Sequence, residues 1–334
     1  MPGSIVKSGG QSLIPTIDIG PFLSDTSSPS AKAVIEQISE ACMNVGFFQI
    51  VGHGMPQETI DGLLSAAKKF FDLPMEEKLT LDATKTVGRR GYDVLASQSY
   101  DTGVLPDLKE GFYVGPDVPN TDRVVQPGRY FMGSNVWPTS LSFESFREPV
   151  ERYFAEVSDL ALTILDLVGK TLPYNTDIFR QFSNGHVITP LRLLHYPPAP
   201  AGRGLEDGVI QFGAGAHTDF GAITLLAQDE NPGLEIWSAE SQAFVPVDPM
   251  PGAFVVNIGD VLSAWTSGRY KSSIHRVINK NPVDRYSAAF FFNGSLDCPL
   301  DPLDGSAPLI EGLTVEKYMI KRMAETYKKP DNHS

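Results

Sequence analysis

Apolar and polar residues alternate along this chain on two periods, and the change comes near residue 188. Before it, apolar positions recur at helical spacing. "SPSAKAVIEQISEACMNVG" puts Val34, Ile38, Ala41 and Val45 on one face, with Ser30 as its cap and Gly46 as its stop. "PQETIDGLLSAAKKFFDL" predicts a second helix, opened by Pro56 in its first turn. "FESFREPVERYFAEVSDLALTILDLVGKTL" predicts a long scaffold helix with Phe146, Val150, Phe154, Val157, Ala161 and Ile164 on its inner stripe. "LIPTIDIG" and "FFQIVGHG" read as short strands. From residue 80 to about 135 the periodicity fades into a mixture of short strands and loops.

After Ile188 the apolar runs shorten and follow one another: "TPLRLLHYP", "AITLLAQ", "GLEIW", "AFVVNIGDVLSAWT", "IHRVIN" and "RYSAAFFFNG". Gly, Pro, Asn and Asp punctuate them. Many short strands without intervening helices indicate an antiparallel sandwich or jelly roll and not a parallel α/β sheet. "LTVEKYMIKRMAETYKK" closes the chain with a helix, and the tail "PDNHS" reads as disordered. The fold class expected is mainly β with flanking α-helices. One domain is expected over 1–334: a mixed α/β region at about 12–130, the scaffold helix at about 140–175, a strand-rich core at about 188–297 and the last helix at about 313–329.

Composition narrows the function. The 334 residues, 42% hydrophobic and 20% charged, are those of an ordinary globular protein. A net charge of −13 repels phosphate backbones and anionic lipids, so nucleic-acid and membrane-surface partners are not expected. No apolar run approaches the ~20 residues of a membrane span. The start of the sequence has no cationic segment followed by an apolar stretch, so a cytoplasmic protein is expected. Two cysteines, Cys42 and Cys298, make neither a disulfide framework nor a CxxC zinc pair.

The candidate chemistry lies in "GAGAHTDFGAITLLAQ". On a strand, residues i and i+2 share a face, so His217 and Asp219 project together from an otherwise apolar segment. Uncompensated burial of both is expensive, and one divalent cation can satisfy them together. Of the six histidines, His275 begins a later strand and is the candidate third ligand. Two imidazoles and a carboxylate that leave other positions open are the ligand set of non-haem Fe(II) oxygenases. Zinc with a water could take the same three, and a hydrogen-bonded His–Asp couple needs no metal. In "RYSAAFFFNG", Arg285 and Ser287 share a face of an apolar strand. A guanidinium there suits a carboxylate ligand, or else pairs at a sheet edge with Asp284.

Together, HxD (His217, Asp219), the distal His275 and RxS (Arg285, Ser287) resemble the Fe(II)/2-oxoglutarate-dependent dioxygenases of the isopenicillin N synthase-like branch. The likeness extends to "IPTIDI", "GFFQIVGHGMP", "FFDLPMEEK" and "PGAFVVNIGDVLSAWTSGRYKSSIHRV". It implies a double-stranded β-helix, a distorted jelly roll, that uses Fe(II), 2-oxoglutarate and dioxygen. His217, Asp219 and His275 would ligate the metal. Arg285 and Ser287 would hold the far carboxylate of 2-oxoglutarate, with a phenol from Tyr196. The sequence departs from many relatives at Leu194 and His195, where an asparagine precedes the tyrosine pair; Leu194 cannot donate a hydrogen bond, and His195 reads as structural. The reaction implied couples decarboxylation of 2-oxoglutarate to hydroxylation, desaturation or ring modification of a small organic molecule in secondary metabolism. Residues 80–135, the strand ends and the last helix would form its surface, although Tyr92, Phe112 and Tyr113 are as well explained by packing. The rival readings are an oxidase of the isopenicillin N synthase type, which needs no 2-oxoglutarate, and a metal-free jelly-roll binding module. The sequence sets no oligomeric state.

Overall fold

Strand β1 (Thr16–Asp18) pairs in parallel with β2 (Phe47–Val51), and α1 (Gly20–Ser24) and α2 (Pro29–Asn44) lie between them in the chain. The computed structural model describes residues 13–97, 105–125, 132–175, 177–198, 211–308 and 310–326, so the tail "PDNHS" lies outside the described residues. Ser28, not Ser30, caps α2: its Oγ accepts the Ala31 N–H at 3.0 Å. Pro29 takes the first helical position, where its missing N–H costs nothing, and that sets the cap two residues earlier than expected. Gly46 ends the helix at φ +72°, where a Cβ would run into the Lys271 carbonyl. Pro56 stands at the N-cap of α3 (Gln57–Phe71), just ahead of the first turn.

The weakly periodic region holds α4 (Met75–Leu79), β3 (Gly91–Asp93) and β4 (Glu110–Val114). One π-helical turn leads into the scaffold helix α5 (Glu148–Lys170), which buries Val150, Val157, Ala161 and Ile164 as the stripe predicts. Then come α6 (Asp177–Phe182), β5 (Val187–Ile188), β6 (Leu191–Tyr196), β7 (Ala214–His217), β8 (Ile223–Gln228), β9 (Leu234–Ser238) and β10 (Ala243–Pro246). The run "AFVVNIGDVLSAWT" is a strand only as far as β11 (Phe254–Ile258); the rest is α7 (Asp260–Trp265). Gly259 makes the break, for a Cβ there would strike the Gly221 carbonyl. Beyond it Val261, Leu262 and Trp265 are buried at helical spacing. The chain closes with β12 (His275–Val277), β13 (Arg285–Phe292), β14 (Gly294–Ser295) and α8 (Val315–Thr326).

An eight-stranded sheet runs β1-β2-β11-β8-β13-β6-β4-β3, so strands from both halves of the chain interleave. A smaller sheet runs β10-β9-β12-β7, and β14 pairs with β5. Strand alternation gives the large sheet two faces. Leu191, Leu193, Leu225, Val256 and Phe290 join the helices in the main core. Leu194, Tyr196, Val255 and Ala289 meet Ala214, Leu234, Ile236 and Val277 of the small sheet in a second cluster. The sheets thus pack face to face, with helices packed on the outer side of the larger one.

A buried ionic network ties α4 to the edge of this sheet. Glu110 accepts from Lys78 Nζ at 2.8 Å and the Tyr92 hydroxyl at 2.6 Å, and meets His195 Nδ1 at 2.7 Å. Burial raises the Glu110 carboxyl, but hydrogen bonds from His195, Lys78 and Tyr92 outweigh it and hold the pKa below its ordinary value. A carboxylate whose pKa is lower folded than unfolded stabilises the fold above the ordinary glutamate range. That contribution disappears as pH falls through the range toward the folded value. Glu110→Gln, which leaves Lys78 buried without its counter-charge, should cost about 3–5 kcal/mol at neutral pH. The cost should shrink in acid. Urea unfolding at several pH values reads both, and parallel pH slopes for the two proteins would refute the assignment.

Candidate active site

The antiparallel pairing of β7 with β12 sets His217 opposite His275. Their rings lie 4.4 Å apart. Asp219 does not share a strand with His217, since β7 ends at His217 and Asp219 stands just beyond it. Its main chain is held where it is by the Asp260 N–H, which donates to the Asp219 carbonyl at 2.8 Å. Asp219 Oδ1 lies 3.8 Å from His217 Nε2 and 3.9 Å from His275 Nε2. One donor atom from each of the three lies within 4.8 Å of the others, so they could hold a metal ion.

The remaining polar atoms of the trio are tied back to the protein. His217 Nδ1 donates to the Gly215 carbonyl at 2.7 Å, and His275 Nδ1 to the Ser273 carbonyl at 3.2 Å. Those bonds put the proton on Nδ1 and leave each Nε2 lone pair for a metal. Asp219 Oδ2 accepts from Thr224 Oγ1 at 2.6 Å and Asn257 Nδ2 at 2.8 Å, which turns Oδ1 toward the imidazoles. Burial, with the charge of His275 adding to it, pushes His217 below its ordinary pKa against the pull of Asp219. Burial raises Asp219, but the two imidazoles and the bonds from Thr224 and Asn257 bring it below its ordinary value. A neutral imidazole beside an ionised carboxylate suits a divalent cation. Sequence reasoning missed Thr224 and Asn257, although Asn257 in "FVVNI" is a polar residue inside an apolar strand.

All three face a mostly apolar cavity between the sheets, with about 1080 Å³ of empty space including its open mouth. Tyr196 and Leu194 line it, as do Tyr113 from β4 and Met319 and Met323 from α8. Tyr92 and Phe112 are buried in the main core, as the packing reading holds. His195 faces away: its ring stacks on Tyr286 at 4.9 Å and meets Asp284 at 2.8 Å. That contact takes up the acid a sheet-edge reading would have given to Arg285.

Arg285 and Ser287 are not part of the cavity wall but lie directly behind Tyr196. The Arg285 guanidinium lies 5.0 Å from the Tyr196 ring, and the Tyr196 side chain hydrogen-bonds Ser287. Arg285 donates to Gln228 Oε1 at 2.9 Å, the Asn231 carbonyl at 3.1 Å and Ser287 Oγ at 3.5 Å. It is fully buried, and every one of these partners is neutral. A buried guanidinium without a counter-charge is costly, and a carboxylate ligand would relieve that cost.

Residues 188–294 match the 2OG-Fe(II) oxygenase superfamily, and residues 14–140 match the N-terminal region described as non-haem dioxygenase in morphine synthesis. The chain is 48% identical to 2-oxoglutarate-dependent dioxygenase citB of Monascus ruber, covering 94% of this chain and 95% of that one. It is 46% identical to a 2-oxoglutarate-dependent dioxygenase of Didymella fabae, covering 95% and 97%. The chain belongs to the 2OG-Fe(II) oxygenase superfamily.

This oxygenase also superposes on a full-length Neurospora crassa protein solved in complex with alpha-KG, with a TM-score of 0.79 and 27% identity over 93% of this chain and 95% of that one. A further structure of the Neurospora crassa protein carries alpha-KG and thymine. The fold is the jelly roll of that family, and the protein is a 2-oxoglutarate-dependent dioxygenase using Fe(II). Its donor set of two imidazole nitrogens and one carboxylate oxygen fits Fe(II), and its buried guanidinium, whose partners among the described residues are neutral, fits a diacid. The 2-oxoglutarate-independent oxidase and the metal-free module are not favoured. Among the described residues, no helix is long and apolar enough to cross a membrane.

Proposed function

We propose that this oxygenase oxidises an unactivated C–H bond of a small organic molecule of secondary metabolism, by hydroxylation or by desaturation or ring modification. The observation that carries it is the convergence of His217 Nε2, His275 Nε2 and Asp219 Oδ1 on one side of an apolar cavity. The thymine complex of its structural relative supports a small substrate in preference to a polymer. The net charge of −13 is unfavourable to polyanions and anionic lipid surfaces.

In this reading His217, Asp219 and His275 hold Fe(II), and Arg285, Ser287 and Tyr196 take the far carboxylate of 2-oxoglutarate. Bound there, Fe(II) with 2-oxoglutarate and dioxygen supplies the oxidising chemistry, which turns the cosubstrate into succinate and CO2. The protein contributes geometry. Thr224 and Asn257 stop Asp219 from rotating, and the Nδ1 bonds to main-chain carbonyls fix both imidazole rings. The apolar wall excludes water and holds the substrate C–H in place. We read the interleaved sheet as one domain and place the protein in the cytoplasm, because Cys42 and Cys298 are both free and buried, as suits a reducing compartment.

Anaerobic titration tests this. Visible absorbance should appear only when Fe(II) and 2-oxoglutarate are both present, and air should then release succinate as 2-oxoglutarate is lost. Metal uptake with no consumption of 2-oxoglutarate would overturn the reading.

A further inference from the structure

The face of β13 that carries Arg285 and Ser287 continues along the strand to Ala289 and Phe291 and, just beyond its end, to Asn293. Ala289, Phe291 and Asn293 all line the cavity, whereas Phe290 and Phe292, of the other parity, lie in the main core. The main chain here is held from both sides. The Phe292 carbonyl accepts the Ala222 N–H at 3.0 Å, and the Asn293 N–H donates to the Ile188 carbonyl at 2.9 Å. The side chain finds room because Gly221, two residues after Asp219, has no Cβ; one built there would lie 2.2 Å from Asn293 Oδ1. The amide therefore lies against the bend that carries Asp219.

Asn293 is only 5% exposed, yet its amide makes no hydrogen bond among the described residues. Its polar neighbours in the wall are engaged. Lys109 and Arg192 have carboxylate partners, Thr218 bonds Asp260, and Tyr196 bonds Ser287. An asparagine ahead of a glycine often serves a turn by bonding its own main chain, and this one makes no such bond. A buried amide that leaves water and gains no partner is unfavourable. Here it fronts a cavity, where a bound molecule can supply the partner.

We propose that Asn293 is a substrate-recognition residue whose amide hydrogen-bonds a neutral oxygen, carbonyl or hydroxyl, on a small aromatic substrate. The inference rests on the functional reading above, in which the iron and both ends of 2-oxoglutarate are held by other residues. An amide offers two N–H donors and one carbonyl acceptor, so it matches either group. The aromatic part follows from the rest of the wall: Phe220 and Phe291 flank the amide in sequence, and Met319 and Met323 come from α8. Aromatic faces and flexible thioethers suit a flat ring. A pocket that hydrogen-bonds its substrate rejects an analogue lacking that group far more strongly than an apolar wall rejects a change of size. Asn293 thus sets which ring is accepted beside Asp219.

The test compares wild type with Asn293→Leu, each loaded with Fe(II) and 2-oxoglutarate without oxygen, by calorimetry with benzyl alcohol, acetophenone and ethylbenzene. The affinity of at least one oxygenated probe relative to ethylbenzene should fall about fivefold or more in the variant. Either loss supports the contact: with acetophenone the amide donates, and with benzyl alcohol alone it accepts. The affinity for 2-oxoglutarate should stay within about twofold. Without a probe the unfolding midpoint of Asn293→Leu should stay within about 2 °C of wild type or rise, since the fold does not use the amide. A larger fall in both Asn293→Leu and the smaller Asn293→Ala would assign the amide to the fold and overturn the proposal. So would an unchanged affinity ratio, a parallel loss of 2-oxoglutarate affinity, or wild-type protein that binds neither oxygenated probe. Protein that took up no 2-oxoglutarate yet showed the drop in ratio would sink the functional reading and leave the contact standing.

Discussion

Asp219→Ala is expected to lower 2-oxoglutarate turnover by about 10³-fold or more, because losing a ligand exceeds the 10–100-fold effect of losing one of its supporting hydrogen bonds. The carboxylate is the anionic member of the trio, with Oδ1 3.8 Å from His217 Nε2 and 3.9 Å from His275 Nε2. Without it two imidazoles face an open side, and Fe(II) affinity should fall with activity. The fold should survive. The substitution removes a buried charge and orphans two donors, Thr224 Oγ1 and Asn257 Nδ2, at a cost of about 1–3 kcal/mol each. Fe(II) titration, succinate release and circular dichroism together read the result. Undiminished metal uptake in a folded variant would remove Asp219 from the centre.

Arg285→Ala is expected to raise the 2-oxoglutarate requirement by about 30-fold or more, since truncating one partner of a buried, hydrogen-bonded charge pair costs about 2–5 kcal/mol. Turnover at saturating cosubstrate should change less, because in the proposed role the guanidinium holds the end of the diacid away from the reacting atoms. The stabilisation that 2-oxoglutarate gives to the fold should vanish with its binding. Arg285→Lys should recover only part, as an ammonium lacks the planar fork that grips a carboxylate by two bonds. Cosubstrate affinity that stays put in Arg285→Ala would end the role assigned to this side chain. Because the partners of Arg285 among the described residues are neutral, its removal should alter the stability of the protein without 2-oxoglutarate far less than Glu110→Gln alters it.

Much of the site was legible because strand alternation is a local rule. "RYSAAFFFNG" put Arg285 and Ser287 on one face, and they share it. The alternation of β6 likewise separated His195 from Tyr196, and the histidine does turn into the network with Glu110 and Asp284. The same rule failed for His217 and Asp219, which come together although β7 stops between them. Their meeting is made by β12 and by Asn257 of β11, both far off in sequence, and by Thr224 of β8, five residues after Asp219. Arg192 carried the same signal as Arg285, a cation within an apolar strand. In the structure it pairs with Asp93 of β3.

Sequence alone determined the main helices, the strand-rich second half with its jelly-roll class, the three candidate donor side chains and the arginine inside an apolar strand, because period, punctuation and residue chemistry are properties of short stretches. Tertiary structure decided which sheet face closes over the cavity and which atoms of the histidines and the aspartate meet there. Those depend on register between strands far apart in the chain: His217 against His275, and Tyr113 against Arg192. No local pattern encodes such pairings. They follow from burying two sheets against each other while keeping every polar side chain between them partnered.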